Sequence, residues 1–366
     1  MQEFTPNADI VDIFSVINKA AGEVRIVGGF IRDLLRGIKA KDIDLATTLH
    51  PVDIIKAFTH SDFIIVDNAA KFGSITLIKN GTKYEITTLR KDTNCNGRYA
   101  DVTFSTAWEE DAQRRDFTMN ALYMDINGNI YDYCSGTEDI KKERVVFIGD
   151  AAKRIQEDYL RILRYFRFCA NLNIECDSKV VNIITDNVAG LNVLSKERIT
   201  SEMLKIFTYS GCAKIFNIMN KCGVLKQVFN AYITEFNYLN KVVPFEDWRV
   251  AFFALMLDAN CNISEQLAIT ARDRKNISIM WNNRNTITAK DFGLLQKEFI
   301  YDYSNLCEVF AISGNKNIAY NYAATVKKLP VGGEYAIAKG LQGAAIAKFL
   351  LMAKKAWIAS DFTTFE

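Results

Sequence analysis

The sequence predicts an α+β head, built on a small mixed sheet with helices, followed by an all-α neck, body and tail. Three observations carry this reading. Between residues 22 and 150, short β-rich runs alternate with turns, and two Asn-Gly pairs mark tight hairpins. From residue 151 onward the apolar residues recur at helical spacing. Only four prolines interrupt 366 residues, so long helices are permitted. A chain of this length is expected to divide, because single cores stop growing at roughly 250–300 residues. The divisions read here are a head over 1–150, a helical neck over 151–210, and a helical body and tail over 211–366.

Within the head, Glu23 to Val27 reads as a strand that Gly28-Gly29 breaks before the helical FIRDLLRG, with Gly37 placed to cap it. The segment Lys41-Asp42-Ile43-Asp44-Leu45 reads as a short strand. Period-2 alternation puts both carboxylates on one face and turns Ile43 into the core. Asn80-Gly81 and Asn127-Gly128 are each expected to supply the two positive-φ positions of a type I′ turn. Glu85, on the second strand of the first hairpin, shares a face with Thr87. Beyond the head, RIQEDYLRILRYFRF places Ile155, Tyr159, Ile162 and Phe166 on one helical stripe.

About half the residues are hydrophobic and a quarter charged, as in soluble globular proteins. No apolar run approaches the roughly 20 residues of a membrane span. The opening MQEFTPNADIVDIF lacks a basic stretch followed by an apolar one, so a cytoplasmic protein is expected. Eight scattered cysteines without a CxxC pair argue against a zinc ribbon or disulfide scaffold and for reduced, buried thiols. Two histidines, His50 and His60, exclude a site built on several. The net charge of +2 says little. The C-terminal end is mildly basic, with Lys327, Lys328, Lys339, Lys348, Lys354 and Lys355 against Glu334, Asp361 and Glu366. Solvated helix faces explain these lysines as readily as a nucleic acid does.

Three stretches carry residue types suited to one chemistry. In GGFIRD, Gly28 and Gly29 lead from a strand into a helix start, where exposed backbone N–H groups can cradle phosphate. Arg32, one turn in, can clamp a triphosphate oxygen. Asp42 and Asp44 repel unless a divalent cation sits between them, and hard oxygen ligands suit Mg2+. Such a pair of ions would activate a 3′-hydroxyl and neutralise the α-phosphate and leaving pyrophosphate. Read alone, Asp-x-Asp is an ordinary surface turn. The adjacent GG-x-x-RD shifts that balance, because one site needs both parts. Glu85 is a candidate third carboxylate and equally a solvent-facing strand residue.

The second stretch, EEDAQRRDFTMNAL, offers Arg114 and Arg115 to phosphates and Asp116 to a ribose hydroxyl or to an arginine, with Thr118 and Asn120 completing a hydrogen-bond shell. The third, EDYLRILRYFRF, puts Asp158 with Arg161, Arg161 with Arg164, and Arg164 with Arg167 three apart on a helix. Acid and guanidinium side by side give acceptor and donors to the edge of a base. On its own this last motif is an ordinary helix ion pair.

In this order, GGFIRD, DID, EEDAQRRDFTMNAL, EDYLRILRYFRF and SKERITSEMLKIF resemble the successive motifs of the class II tRNA nucleotidyltransferase and poly(A) polymerase family, over roughly the first 210 residues. The resemblance implies a head of nucleotidyltransferase fold, then helical neck, body and tail, with the stretch from Ser195 to Phe207 stabilising the neck helices. It implies metal binding by Asp42 and Asp44 and triphosphate contacts from Gly29 and Arg32. Arg114, Arg115 and Asp116 would recognise ribose. Asp158 and Arg161, assisted by Arg164, would read the Watson–Crick edge of cytosine or adenine, so that no nucleic-acid template is needed. The implied partner is tRNA, gripped at its 3′ end and elbow, with CTP and ATP as substrates and no protein partner.

Within the family, the stretch AAKFGSITLIKNGTKYEITTLRKDTNCNGRYADVTF looks most like the CCA-adding kind, and in particular the alphaproteobacterial form. Asn96-Gly97-Arg98 replaces the Asp-Gly-Arg of that form, and Phe72 stands where a histidine is common. The loop from Arg90 to Phe104 is full length, unlike that of a CC-only enzyme. No GRRF segment like that of bacterial poly(A) polymerases follows the early strands. Poly(A) addition, partial CC or A addition, and an RNA- or nucleotide-binding protein with an inactive head remain the alternatives. A dinucleotide-binding domain is disfavoured, since GGFIRD is not GxGxxG.

Overall fold

A computed structural model describes residues 4–38, 42–96, 99–242, 248–283, 329–360 and 364. Two compact units divide the chain, Met1–Leu194 and Ser195–Glu366.

The first unit is built on β1 (Val24–Val27), β2 (Asp44–Thr47), β3 (Ile64–Val66), β4 (Ser74–Lys79), β5 (Thr82–Thr88), β8 (Leu122–Met124) and β9 (Ile130–Asp132), ordered β3-β4-β5-β2-β1-β8-β9. Only β2 and β5 run parallel; every other pair in this sheet is antiparallel, so the sheet is mixed as expected. A separate hairpin joins β6 (Arg90–Asn96) to β7 (Tyr99–Phe104). Gly97 and Arg98, singled out above, lie outside the described residues.

Adjacent residues of the central strands enter different cores, because a strand alternates its side chains. Ile26, Leu45 and Leu122 join one core with α1 (Ala8–Lys19), α2 (Gly29–Leu35) and α3 (Pro51–Phe58), whereas Val27, Ala46 and Tyr123 join the other with α4 (Trp108–Arg114). Helix α1 shows why it forms: Ile10, Ile13, Phe14 and Ile17 make one buried stripe, and Asn7 accepts from the Ile10 amide at 2.9 Å to cap its start.

The turn chemistry is partly as read. Asn80 and Gly81 both have positive φ, 51° and 78°, as a type I′ turn needs. Gly37, at φ 70°, closes α2: its amide donates to the Leu34 carbonyl and that of Ile38 to Asp33 at 2.9 Å. Asn127-Gly128 departs from expectation, since only Gly128 has positive φ. The Asp125 carboxylate accepts from the Asn127 and Asn129 amides, each at 2.9 Å, and so stabilises a longer loop in place of the two-residue turn.

The stretch RIQEDYLRILRYFRF is also not one helix. It forms α6 (Ala151–Glu157) and α7 (Leu160–Leu172), which follow α5 (Gly136–Lys141), with Asp158 extended between them at φ −154°. The Asp158 carboxylate accepts from the Leu160 amide at 3.1 Å, so its short acceptor side chain starts a new helix rather than continuing the old one. Ile155, Ile162 and Phe166 are buried as expected. Helix α8 (Ser178–Asn187) completes the unit.

The described part of the second unit is helical: α9 (Lys196–Phe207), α10 (Cys212–Lys221), α11 (Val224–Phe229), α12 (Leu239–Val242), α13 (Trp248–Ala259), α14 (Ala271–Asn283), α15 (Gly333–Ala338) and α16 (Ala344–Ala359). Ser195 caps α9 by accepting from the Arg198 amide. Phe207 stacks on Phe216 at 4.7 Å and meets Phe252 edge-on. Trp357 is buried, whereas Tyr322, Lys327 and Lys328 lie outside the described residues. No described helix is long and apolar enough to cross a membrane.

Gly136 shows how tightly the head is packed beneath the RRD stretch. A Cβ there would lie 2.2 Å from the Thr118 carbonyl oxygen, a backbone atom that cannot swing aside. Gly136→Ala is therefore expected to cost about 1–3 kcal/mol, read as a thermal midpoint lower by several degrees. An unchanged midpoint would contradict this packing.

Candidate functional site

Strand β2 begins at Asp44, so Asp42 precedes the strand rather than lying within it. Both aspartates are exposed, while Ile43 is half-buried against the core. The parallel register sets Asp44 beside Glu85. Desolvation by the surrounding protein raises the Asp44 pKa; Glu85 and then Asp42 raise it further, against a lowering by Arg115. Glu85 is itself oriented, because the Ser74 hydroxyl donates to its Oε1 at 2.7 Å. The two aspartates and Glu85 thus share one electrostatic neighbourhood, a donor set that fits a hard divalent cation. Among the described residues no three such side chains close on a single ion. Water or substrate oxygens would have to complete its shell.

The glycine pair is placed close to the second motif. Gly28 has φ 73°, and a Cβ there would stand 3.4 Å from the Asn120 carbonyl and 3.9 Å from an Arg115 nitrogen. Its amide is not open to a phosphate as expected, since it donates to the Leu122 carbonyl at 3.0 Å as the sheet hydrogen bonding continues. Arg32 is buried: Nε donates to Asp33 and one terminal nitrogen to Asn120 Oδ1, both at 2.9 Å.

From there the contacts run on. Asn120 donates to Asp116 Oδ1 at 3.1 Å, and Arg164 Nε donates to Asp116 Oδ2 at 2.7 Å. One line of charge-assisted hydrogen bonds therefore joins GGFIRD, RRDFTMNAL and α7. Burial opposes the charge on Asp116, but Arg164, Asn120 and the Phe117 amide outweigh it and hold its pKa low.

Arg114 and Arg115 converge on a residue that the reading of the sequence left without a role. Asp111, fully buried on α4, accepts from Arg114 Nε at 2.9 Å, from Arg115 at 3.1 and 2.9 Å, and from the Tyr123 hydroxyl at 2.6 Å. Burial would raise its pKa; Arg115, Arg114 and Tyr123 overcome that and hold it at about 2. The spacing of three and four residues along one helix was the available signal.

The third motif is arranged otherwise than expected. Asp158 is not on a helix with Arg161, because the chain breaks between them and the Asp158 carboxylate accepts from the first amide of α7. Arg161 donates instead to Glu157 and to the Arg154 carbonyl, both at 2.6 Å. Arg164 is engaged with Asp116, and Arg167 stands 4.1 Å over the Phe168 ring. Thr118 donates to Asp139 at 2.7 Å, supporting the turn that presents Asn120.

Residues 24–146 match the family model of the poly A polymerase head domain, and residues 173–234 that of the probable RNA and SrmB-binding site of polymerase A. The chain is 32% identical over 364 residues to CCA tRNA nucleotidyltransferase 1, mitochondrial, of Mus musculus, covering 93% of this chain and 84% of that protein. It is 36% identical over 218 residues to the CCA-adding enzyme of Lactobacillus johnsonii, covering 59% and 54%. Among solved structures it is similar to the Bacillus stearothermophilus CCA-adding enzyme in complex with CTP, with a TM-score of 0.73, 23% identity and coverage of 96% and 92%. A second likeness is the Thermotoga maritima CCA-adding enzyme complexed with tRNA, with a TM-score of 0.63, 18% identity and coverage of 98% and 96%. The head has the nucleotidyltransferase fold. The chain belongs to the CCA-adding enzyme and poly(A) polymerase family.

Asp111 makes a testable contribution to stability. Its folded pKa, about 2, is depressed below the ordinary aspartate value of 3.8. The stability it confers is therefore present above pH 4 and lost as pH falls from about 4 toward 2, in total about 2 kcal/mol. Asp111→Asn is expected to lower the midpoint of thermal unfolding at pH 7 and to flatten its fall between pH 4 and 2. Parallel curves for the two proteins across that window would contradict the assignment.

Proposed function

We propose that this chain adds C, C and A to the 3′ ends of tRNA from CTP and ATP, without a nucleic-acid template and with release of pyrophosphate. The observation that carries the reading is the convergence of Asp44, Glu85 and Asp42 at one end of the sheet, beside the line of contacts from Arg32 through Asn120 and Asp116 to Arg164. The named relatives and solved structures, enzymes of CCA addition, support it.

Asp42 and Asp44, with Glu85 beside them, would hold Mg2+, which when bound would lower the pKa of the 3′-hydroxyl and neutralise phosphate charge. The chain's own groups do the rest. Gly29, Arg32 and Arg115 would line the triphosphate, with Gly28 shaping the turn beside them, its own amide held by Leu122, and Arg114 fixed through Asp111. Asp116 and Asn120 would meet the ribose, which requires one acceptor position to exchange an internal donor for the sugar hydroxyl. Asp158 and Arg161 would read the base edge, with Arg164 and Arg167 alongside; Arg161 must leave Glu157 to do so. The division into head (1–150), neck (151–210), and body and tail (211–366) assigns the tRNA elbow to the last part, through phosphates and shape. We place the activity in the cytoplasm and liken the Arg90–Phe104 loop to the alphaproteobacterial form.

The direct assay supplies tRNA ending at the discriminator base, or already carrying CC, with labelled CTP, ATP or both. Three additions from the mixture and no more are expected. A long A ladder would make the chain a poly(A) polymerase. Two C additions or a lone A would make it a partial enzyme, and no addition would favour a binding protein. Asp44→Asn is expected to lower incorporation by about 10³ or more without unfolding the head. Retained activity in that variant would sink the metal assignment.

A further inference from the structure

Arg154 has no role in the scheme above, yet its contacts touch both halves of it. It stands in the last turn of α6 with its side chain 12% exposed. One terminal nitrogen donates to the carbonyls of Arg114 and Arg115, each at 2.6 Å. The other pairs with Glu157. The same Glu157 oxygen accepts from Arg161, and Arg161 also donates to the Arg154 carbonyl.

The two carbonyls belong to the last residue of α4 and to its C-cap, where orphan acceptors and the negative end of the helix dipole favour a cation. A cap of that kind would explain stability alone. Two further features do not fit a cap alone. The captured carbonyls flank Arg115 immediately before Asp116, so the side chain of Arg154 fixes the backbone that aims both residues. In addition, its acidic partner is shared with Arg161, one of the two groups assigned to the base edge. When Arg161 leaves Glu157 for a base, Glu157 is left to Arg154, and the Arg154 carbonyl loses the Arg161 contact. Either change alters the hold on the Arg114 and Arg115 carbonyls.

We propose that Arg154 is a positioning residue that couples base reading at Asp158 and Arg161 to the grip on sugar and phosphate at Arg115 and Asp116. This rests on the function proposed above. In such a coupling, a correct base tightens the ribose site, and a wrong base leaves it slack. Lysine at this position keeps the charge but cannot fork between two carbonyls and a carboxylate.

The test is an equilibrium titration of the full chain with CTP, dCTP and ATP, alongside thermal unfolding, for wild type, Arg154→Lys, Arg161→Lys and the double variant. Arg154→Lys is expected to keep its unfolding midpoint within a few degrees while the CTP-over-dCTP preference falls about tenfold. Arg161→Lys should lower that preference too, although its side chain does not meet the sugar. In the double variant the two effects should not add, because one pathway carries both. An unchanged preference in Arg154→Lys with a lowered midpoint would reduce the residue to a helix cap, and additive effects would overturn the coupling. If Arg154→Lys fails to fold, Glu157→Gln in the same cycle decides between the same outcomes, since it loosens Arg154 and Arg161 while leaving the carbonyl contacts. A wild-type chain with no preference for CTP over dCTP would overturn the reading of the site and the coupling with it. A wild-type preference combined with an additive cycle would remove the coupling alone.

Discussion

Like charge held at close quarters is the constraint on which the head is built. Parallel pairing of β2 with β5 sets Asp44 beside Glu85, and Asp42 adds a third carboxylate just before the strand. Such a cluster costs free energy in the bare protein: Glu85 and Asp42 add their repulsion to the desolvation that already raises the pKa of Asp44. The surrounding sheet makes the arrangement unavoidable: Leu45 is fully buried between the two alternating faces, and Ser74 fixes the orientation of Glu85. A register slip would relieve the repulsion only by sending Leu45 and Ala46 each into the opposite core.

The opposite charge is handled by burial and pairing. Asp111 and Asp116 sit within protein and hold Arg114, Arg115 and Arg164, while Asn120 links Asp116 to Arg32. Guanidinium groups fixed in this way lose little further freedom on meeting an anion, which is how a site for a charged substrate is preorganised. Arg161 contrasts with them. Its present partners are Glu157 and a main-chain carbonyl, so the base-reading role proposed for it requires exchanging these contacts for a base.

Much of this was legible in the sequence wherever a signal is local. Asp42 and Asp44 are exposed and Ile43 packs toward the core as read, although the strand begins only at Asp44; Asn80-Gly81 and Gly37 took the turn and cap geometry that their residue types favour. Reading failed where a side chain redirected the backbone: Asp125 replaced a type I′ turn by a longer loop, and Asp158 broke a helix whose apolar period runs on through the break. It was silent on contacts between distant segments. Neither the Asp44–Glu85 pairing nor the grip of Arg154 on the end of α4 has a spacing to announce it, because each depends on how elements far apart in the chain pack. Gly28 was recognised as a special backbone position, but the loss of its amide to Leu122 follows only from the sheet order.

The central claim is the proposal that Asp42 and Asp44, with Glu85 beside them, hold a divalent cation. Thermal unfolding with and without millimolar Mg2+, followed from pH 4 to pH 7, tests it most directly. Because the folded pKa of Asp44 is raised, its contribution to stability is present below the unfolded value and lost as pH rises through the folded one. Mg2+ should therefore raise the midpoint at pH 7, with the gain fading toward pH 4 as Asp44 takes up its proton. The gain should disappear in a chain carrying Asp42→Asn and Asp44→Asn. An equal gain at both pH values, or one retained in that variant, would contradict the account.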